Sequence, residues 1–126
     1  MIKANELRIG NYITEVGASD GFYASVVSIG VDTCTYGIGY WASFDKLAPI
    51  PLTEKWLLDF GFEKGDYGFY KLYYNDDFYL LTNLKGYTEL CINKIKGAVV
   101  ETKYVHQMQN LYFAVKSKEL ELKKNN

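Results

Sequence analysis

The sequence is poor in the residues that build metal centres and catalytic sites. It contains one histidine, two cysteines and two prolines among 126 residues. A zinc site usually takes about four His or Cys ligands, and a Ser-His-Asp arrangement needs a histidine as its base. Neither a metal nor a cofactor is therefore expected. His106 is the single side chain around which a small hydrolase or nucleotide-binding enzyme could be built.

Long apolar runs are absent as well. A membrane-spanning helix needs about 20 consecutive apolar residues, and no segment approaches that length. The segment Met1 to Glu6 lacks the apolar centre of a secretory signal. Cys34 and Cys91 lie in apolar, strand-like runs, so free buried thiols are expected, with a disulfide as the alternative. These features predict a cytoplasmic protein that does not enter a membrane.

Charge and aromatic content limit the remaining classes. The formal net charge is -1, which does not favour a strongly basic nucleic-acid-binding protein. Hydrophobic residues make up 48% and charged residues 23% of the chain, so a folded core is expected rather than a disordered chain. Aromatic residues reach 17%, and this enrichment favours β-structure.

Residues 1–52 are predicted to form an SH3-like small β-barrel. Short β-branched or aromatic runs alternate with glycine and aspartate turns, which is typical of an antiparallel meander. Pro49 and Pro51 cannot continue a central strand, so they mark the end of this subdomain. The predicted strands are Leu7–Ile13, Tyr23–Ile29, Val31–Tyr36 and Tyr40–Phe44.

Residues 53–126 are predicted to form a helix, an antiparallel β-meander and a C-terminal helix, packed with the barrel as one compact unit. Thr53 is a suitable N-cap and Gly61 a suitable end for the first helix. Residues 63–66 read as a turn, residues 67–101 as three or four strands, and residues 119–123 as a last edge strand. The predicted fold class is therefore α+β.

Two glycines resemble a nucleotide-binding motif but lack its context. Gly37-Ile38-Gly39-Tyr40-Trp41-Ala42 fits the loose pattern G-x-G-x-x-G/A. That motif needs a helix N-terminus directly after the glycines, whereas the residues that follow read as a strand. We therefore predict a hairpin turn at Gly37 and Gly39.

The C-terminal helix suggests an interaction surface. Its apolar residues recur at helical spacing, while His106, Gln109, Asn110 and Phe113 fall on a second face. An exposed aromatic flanked by amides suits a protein contact, although Phe113 could equally pack under the C-terminal strand. Tyr73 and Tyr79, expected to share a sheet face with Lys71, complete the candidate interaction surface. The expected function is a non-enzymatic protein-interaction module, and its oligomeric state is not predicted.

Nucleic-acid binding is the first alternative. Aromatic side chains on a sheet can stack single-stranded bases, and the chain from Lys85 onward carries eight lysines against four glutamates. Half-buried tyrosines that keep their hydroxyls in water explain the same pattern without a ligand. The second alternative is the small enzyme centred on His106.

Three strings of the sequence together resemble a known family. They are Ala4–Tyr12 (ANELRIGNY), Pro49–Leu58 (PIPLTEKWLL) and Tyr104–Ala114 (YVHQMQNLYFA). The chain is similar, over nearly its whole length, to small proteins encoded by Bacteroides-type gut bacteria and by their phages and mobile elements. The resemblance implies a cytoplasmic phage or mobile-element accessory role with a host or phage protein as partner. It carries over no catalytic, cofactor or metal residue.

Overall fold

The computed structural model describes residues 2–67, 70–75, 78–82, 88–92, 95–100 and 102–123. The chain divides into two compact units. The first unit comprises Met1–Pro51 and Tyr104–Leu111, and the second comprises Leu52–Lys103 and Tyr112–Asn126. The prediction placed the boundary one residue later and assigned the whole C-terminal helix to the second subdomain. The structure instead assigns the first half of that helix to the first unit.

The first unit contains a five-stranded antiparallel sheet in the order β4-β3-β2-β1-β5. Short 3-10 helices lie at Ala4–Glu6 and Phe44–Lys46. The strands are β1 (Tyr12–Glu15), β2 (Ala24–Ile29), β3 (Thr33–Tyr36), β4 (Tyr40–Ser43) and β5 (Leu47–Ala48). Within residues 2–51 no pairing joins β4 to β5, so the sheet is an open meander with two edges. The strand predicted over Leu7–Ile13 is shorter, because the chain turns at Gly10, whose φ is +97°.

Small and aliphatic residues dominate the core of the first unit. Alternate positions of the strands point to one face, as the period of a β-strand requires. Tyr36 is the single aromatic residue among the buried members of this cluster. The buried cluster is Ile2, Leu7, Ile13, Val26, Cys34, Tyr36 and Leu47.

The second unit opens with helix α1 (Glu54–Asp59), which begins and ends as predicted. The Thr53 side chain accepts a hydrogen bond from the Trp56 N–H at 3.4 Å. At the other end Gly61 has a φ of +91°. The N–H groups of Gly61 and Phe62 donate to the carbonyls of Leu58 and Leu57 at 2.9 and 3.0 Å. This pairing is a Schellman motif, and it satisfies carbonyls that the helix end would otherwise leave without partners.

A second five-stranded antiparallel sheet follows, in the order β10-β9-β8-β7-β6. Every strand pairs with its neighbour in sequence, so it is a simple meander. The predicted turn over residues 63–66 is wrong, because these residues form the first strand of this sheet. The strands are β6 (Glu63–Tyr67), β7 (Tyr70–Asn75), β8 (Phe78–Thr82), β9 (Thr88–Ile92) and β10 (Ile95–Val100).

Aromatic rings fill the core of the second unit. Phe78 is fully buried, and its ring lies 5.1 Å from that of Tyr112 and 6.1 Å from that of Phe62, both nearly perpendicular. Edge-to-face pairs of this kind add stability beyond the area they bury. The segment predicted as a last strand, residues 119–123, is not a strand; the Lys123 N–H donates to the Asp59 carbonyl at 2.7 Å.

Helix α2 spans Val105–Lys116, whereas the sequence predicts a start at position 101 or 102, and it contributes to both units. The Gln107 side chain accepts a hydrogen bond from the Tyr104 N–H at 3.2 Å, which is one half of a capping box. Val105, Met108 and Tyr112 are buried. Among the described residues, no helix has the length and apolar character needed to cross a membrane.

Candidate functional site

Two features of the first unit are candidates for function: a buried polar cluster around α2 and an exposed aromatic surface on β2–β4. The buried cluster contains the predicted residues His106, Gln109 and Asn110. It also contains residues of the N-terminal segment, which the sequence interpretation did not connect with α2. The exposed surface contains none of the predicted residues.

The side-chain amides of α2 bond to the segment that enters β1. The Gln109 amide accepts a hydrogen bond from the Tyr12 N–H at 2.8 Å and donates to the Gly10 carbonyl at 3.1 Å. The Asn110 oxygen accepts from the Asn11 amide at 2.9 Å and from the Arg8 guanidinium at 3.1 Å. These bonds satisfy backbone groups beside the turn at Gly10, which a purely apolar helix face would leave unpaired.

The Asn110 amide nitrogen extends the same network. It donates to the Glu6 carbonyl at 2.8 Å. The Asn11 side chain, fully buried, also accepts from the Arg8 N–H at 2.6 Å. Two of the strings that carry the family resemblance, Ala4–Tyr12 and Tyr104–Ala114, are therefore joined by hydrogen bonds. Their residue identities have a structural reason that needs no ligand.

His106 is buried in this cluster, with 1% of its surface exposed. Neither ring nitrogen has a hydrogen-bond partner among the described residues. Its Nε2 lies 3.7 Å from the Glu6 carboxylate, beyond hydrogen-bond distance, and its ring stacks on Tyr104 at 6.0 Å. Burial lowers the pKa of His106, and the attraction of the Glu6 carboxylate offsets this only in part. The imidazole is therefore neutral at pH 7 and out of reach of a substrate.

The predicted interaction surface is not assembled on an exposed face. Gln109 is buried because the polar backbone groups at Gly10 and Tyr12 need partners from α2. His106 is buried as well, although it makes no hydrogen bond to the described residues. Asn110 is half-buried, and Phe113 is 39% exposed. Phe113 remains a candidate contact residue, whereas His106 and Gln109 cannot meet a partner without unfolding the cluster.

Tyr73 is also removed from that surface. It is 4% exposed, and its hydroxyl donates to the Glu54 carboxylate at 2.9 Å. Burial and this bond raise the pKa of Tyr73 to about 12. The register pairs Tyr73 with Leu80 and Tyr79 with Tyr74, so the expectation that Tyr73 and Tyr79 share a sheet face is wrong. The side chain of Tyr79 lies outside the described part of the structure.

Among the side chains that the structure describes, most of the exposed large apolar ones lie in the first unit. Two others, Leu58 and Phe113, lie in the second unit. Five of those in the first unit lie on β2, on β4 or within two residues before one of these strands, and we call these five the β2–β4 surface: Phe22, Tyr23, Val27, Ile38 and Trp41. Tyr40 is exposed as well, but it pairs with the buried Tyr36 and therefore points to the opposite face of the sheet from Trp41. Such a concentration typically marks a binding site or an aggregation hazard.

Trp41 stands on the outer face of this sheet and is 71% exposed. The register pairs Trp41 with Thr35, while its neighbour Ala42 pairs with the buried Cys34. Because cross-strand partners point to the same side, Trp41 and Thr35 point away from the core. The Thr35 hydroxyl shares a 2.5 Å hydrogen bond with that of Ser28 on β2. The tryptophan is thus presented beside small hydroxyl residues.

Tyr40 is held in place by an aromatic stack at the end of the same hairpin. Its ring lies 6.0 Å from that of Tyr36, with 25° between the planes. The Tyr36 hydroxyl donates to the Glu15 carboxylate at 2.6 Å, and burial together with this bond raises the pKa of Tyr36 to about 12. The predicted hairpin turn is confirmed, since Gly37 and Gly39 have φ values of +60° and +84° between β3 and β4.

The part of the sequence that forms this surface contains acidic residues but no basic ones. Residues 9–45 contain four acidic residues and neither lysine nor arginine. Asp32 and Asp45 lie at the same end of the β3–β4 ladder, where the Phe44 N–H donates to the Asp32 carbonyl at 3.2 Å. A hydrogen bond from the Ser43 hydroxyl, with a contribution from Lys46, lowers the pKa of Asp45. Asp45 is therefore ionised at neutral pH.

The remaining reactive groups do not converge. Cys34 is free and buried, as predicted, and burial raises the pKa of its thiol. A thiol in this environment is a poor nucleophile. Cys91 is described by its backbone alone. Across the described residues, no group of three or more His, Cys, Asp or Glu side chains could hold a metal ion.

The second unit contains a shallow concavity of about 320 Å³. Phe60, Tyr112 and Leu120 give it an apolar base, and Lys118, Glu119 and Glu121 surround it with charges of both signs. These charges offer no consistent recognition of a cation or an anion. The concavity lacks a convergent set of polar groups that would orient a small molecule.

No family model, curated protein or solved structure matches the chain. Function must therefore be argued from the geometry of the two features above. The sequence interpretation missed the β2–β4 surface, because an alternating strand pattern does not say which aromatic residues stay outside. One signal was present in the sequence: residues 9–45 hold four acidic residues and neither lysine nor arginine, alongside many aromatic and β-branched residues.

Proposed function

We propose that the chain is a non-enzymatic protein-interaction module that binds its partner through the β2–β4 surface. The observation that carries this proposal is Trp41, a tryptophan 71% exposed on a sheet face. Tryptophan and tyrosine are the residues most enriched at energetically dominant positions of protein interfaces. Tyr23 supplies a further ring, with an apolar body and a hydroxyl that can stay in water.

The architecture of the first unit supports a binding module. We propose that its meander is a form of the SH3-like small barrel. The order β4-β3-β2-β1-β5, the pairing of β5 with β1 and the 3-10 helix before β5 support that assignment. The resemblance of the sequence adds a cytoplasmic phage or mobile-element setting, with a host or phage protein as the partner.

Two observations favour binding over catalysis. The ring nitrogens of His106 are buried and have no hydrogen-bond partner in the described part of the chain, and the Cys34 thiol is buried with a raised pKa. A nucleic acid is also disfavoured at this surface, because phosphates would meet Asp32 and Asp45, and residues 9–45 contain no lysine or arginine. A protein partner is therefore the best supported of the three classes.

Chemical cross-linking followed by pull-down from a host lysate tests the proposal. The bait is the full chain, compared with Trp41→Ser and with Leu58→Ser. Leu58 is 44% exposed on α1 and serves as the matched control. We expect proteins that are captured by the wild type and Leu58→Ser but lost with Trp41→Ser. Identical capture by all three baits, or capture of nothing above background, would overturn the proposal.

A further inference from the structure

We infer that the free edge of β4 binds an extended, basic peptide segment of the partner as an additional antiparallel or parallel strand. This inference rests on the proposed function and deepens it by naming the chemistry of the partner. The starting observation is the sheet order, in which β4 has β3 on one side and no strand of the described residues on the other. An unpaired strand edge is a template for another chain unless charges, prolines or bulges block it.

The hydrogen-bond pattern shows which groups of β4 face outward. The Phe44 N–H bonds to the Asp32 carbonyl, and the register places Ala42 opposite Cys34 and Tyr40 opposite Tyr36. In an antiparallel ladder, alternate residues bond to the neighbouring strand. Phe44, Ala42 and Tyr40 therefore face β3. The peptide groups of Trp41 and Ser43 face away from it.

The opposite side of β3 gives the same assignment. The Gly30 N–H donates to the Thr33 carbonyl, and the Gly37 N–H donates to the Ser25 carbonyl. Thr33 and Gly37 therefore bond toward β2, which leaves Cys34 and Tyr36 to bond toward β4. Both sets of bonds make Trp41 and Ser43 the residues whose N–H and C=O groups face the open edge.

Nothing on β4 protects this edge. The strand reads Tyr40-Trp41-Ala42-Ser43 and contains no charge and no proline. Its pairing with β3 runs without a register shift. By contrast, the other edge of the sheet, β5, is a strand of two residues, Leu47–Ala48. An uncharged, regular edge with an exposed tryptophan has the features that peptide-binding edges share.

Charge selects the occupant. Asp32 and Asp45 lie beside the end of β4 at Ser43, and Lys46 follows them in sequence. Residues 9–45 contain four acidic residues and no lysine or arginine, so their formal charge is -4. A second copy of this chain would bring the same negative charge to the edge, whereas a lysine- or arginine-rich strand would be attracted. The favoured occupant is thus a basic segment of another protein that alternates charged and apolar residues.

Ser43 provides a precise way to block the edge. Its φ is -71°, close to the value that proline requires. Ser43→Pro removes an N–H that points to solvent and leaves the bonds between β3 and β4 in place. Ser43→Ala is the matched control, because it also loses the hydroxyl bonded to Asp45 but keeps the N–H. Circular dichroism and thermal melting establish that both variants are folded.

The probe is a peptide of about ten residues that alternates lysine with valine, titrated into the full chain by calorimetry. Its controls are a glutamate–valine peptide and a lysine–proline peptide, which keeps the charge but lacks half of the N–H donors. We expect the wild type and Ser43→Ala to bind the lysine–valine peptide at least about tenfold more tightly than either control. Ser43→Pro should bind it at least about tenfold more weakly than Ser43→Ala does.

Several results would overturn the inference. These are equal binding by Ser43→Pro and Ser43→Ala, equal binding of the lysine–valine and lysine–proline peptides, or no binding of the lysine–valine peptide. Light scattering that shows a dimer, converted to a monomer by Ser43→Pro, would identify a second copy as the occupant instead. If capture in the pull-down depends on Trp41 but the peptide titration gives one of these contrary results, the proposed function is supported and the strand-addition inference is wrong.

A second variant keeps the test decisive if Ser43→Pro does not fold. The double substitution Asp32→Lys and Asp45→Lys changes exposed side chains and no strand residue of β4. We expect it to reverse the preference, so that the glutamate–valine peptide binds more tightly than the lysine–valine peptide. An unchanged preference would contradict the role of charge in selecting the strand.

Discussion

The aromatic side chains that the structure describes are used differently in the two units. In the second unit, Phe62, Phe78 and Tyr112 pack ring against ring in the core. In the first unit, the core is mainly aliphatic, and Tyr40 and Trp41 are left on the surface. The high aromatic content of the sequence thus has two separate causes. Part of it fills a core, and part of it is exposed on the surface of a sheet.

The largest expected effect comes from removing a ring from the aromatic core. Phe78→Ala should lower the free energy of unfolding by about 3–5 kcal/mol, because it leaves a cavity between Phe62 and Tyr112. Trp41→Ala should change it by no more than about 0.5 kcal/mol, because that ring is mainly in water. Chemical denaturation measures both. A loss of about 2 kcal/mol or more with Trp41→Ala would show that this ring belongs to a core.

The sequence was sufficient for the parts of the fold that short-range rules govern. The cap at Thr53, the Schellman end at Gly61 and the hairpin at Gly37 and Gly39 depend on a few adjacent residues, and all are present. The turn predicted at residues 63–66 was wrong because Gly65 and Asp66 suggest a turn locally. Their pairing with Leu72 and Lys71 overrides that preference.

Long-range partners explain why the candidate site was misplaced. Gln109 is separated from Tyr12 and Gly10 by almost the whole chain, and helical periodicity placed it on a polar, exposed face. Its burial depends on the unpaired backbone groups near Gly10, which the spacing of residues within α2 does not encode. Conversely, the strand pattern does not distinguish the outward Trp41 on β4 from the buried Tyr36 on the neighbouring strand β3.

Removing a side chain from the buried polar cluster should lower the free energy of unfolding by less than Phe78→Ala does. Gln109→Ala leaves the Tyr12 N–H and the Gly10 carbonyl without partners in a buried site, which should cost about 2–3 kcal/mol. Gln107→Ala is the matched control, because Gln107 accepts one hydrogen bond at the start of the same helix. It should cost about 1 kcal/mol. If denaturation curves show that both variants lose the same free energy of unfolding, the two hydrogen bonds of the Gln109 amide do not contribute the stability expected of them.

Lowering the pH should weaken the first unit through His106. The pKa of His106 is lowered in the folded chain, whereas it takes its ordinary value of about 6.5 after unfolding. Below about pH 6.5 the unfolded chain therefore binds more protons, and stability falls as the pH drops toward the folded pKa, by at most about 1.4 kcal/mol per pH unit. Above that range this contribution is constant.

His106→Phe tests the origin of the slope, since a ring without a titrating nitrogen should flatten stability between pH 5 and pH 7 relative to the wild type. Glu6→Gln should act in the opposite direction, because it removes the carboxylate that favours the protonated imidazole. Thermal melting across this pH range measures all three chains. A slope that persists in His106→Phe would assign it to other groups.

The smallest effect is expected from a proline substitution on β4, and it compares the side of the strand that faces β3 with the open side. Ser43→Pro should change the free energy of unfolding by less than about 0.5 kcal/mol, because the Ser43 N–H faces solvent and its φ of -71° suits proline. Ala42→Pro should cost about 1–3 kcal/mol, because the Ala42 N–H bonds to β3 opposite Cys34. Ser43→Ala, which also loses the hydroxyl bonded to Asp45, serves as the reference for Ser43→Pro, so that the comparison with Ala42→Pro reports the direction in which each N–H points. If urea denaturation gives equal losses for the two prolines, the edge of β4 is paired on both sides, and no strand could be added there.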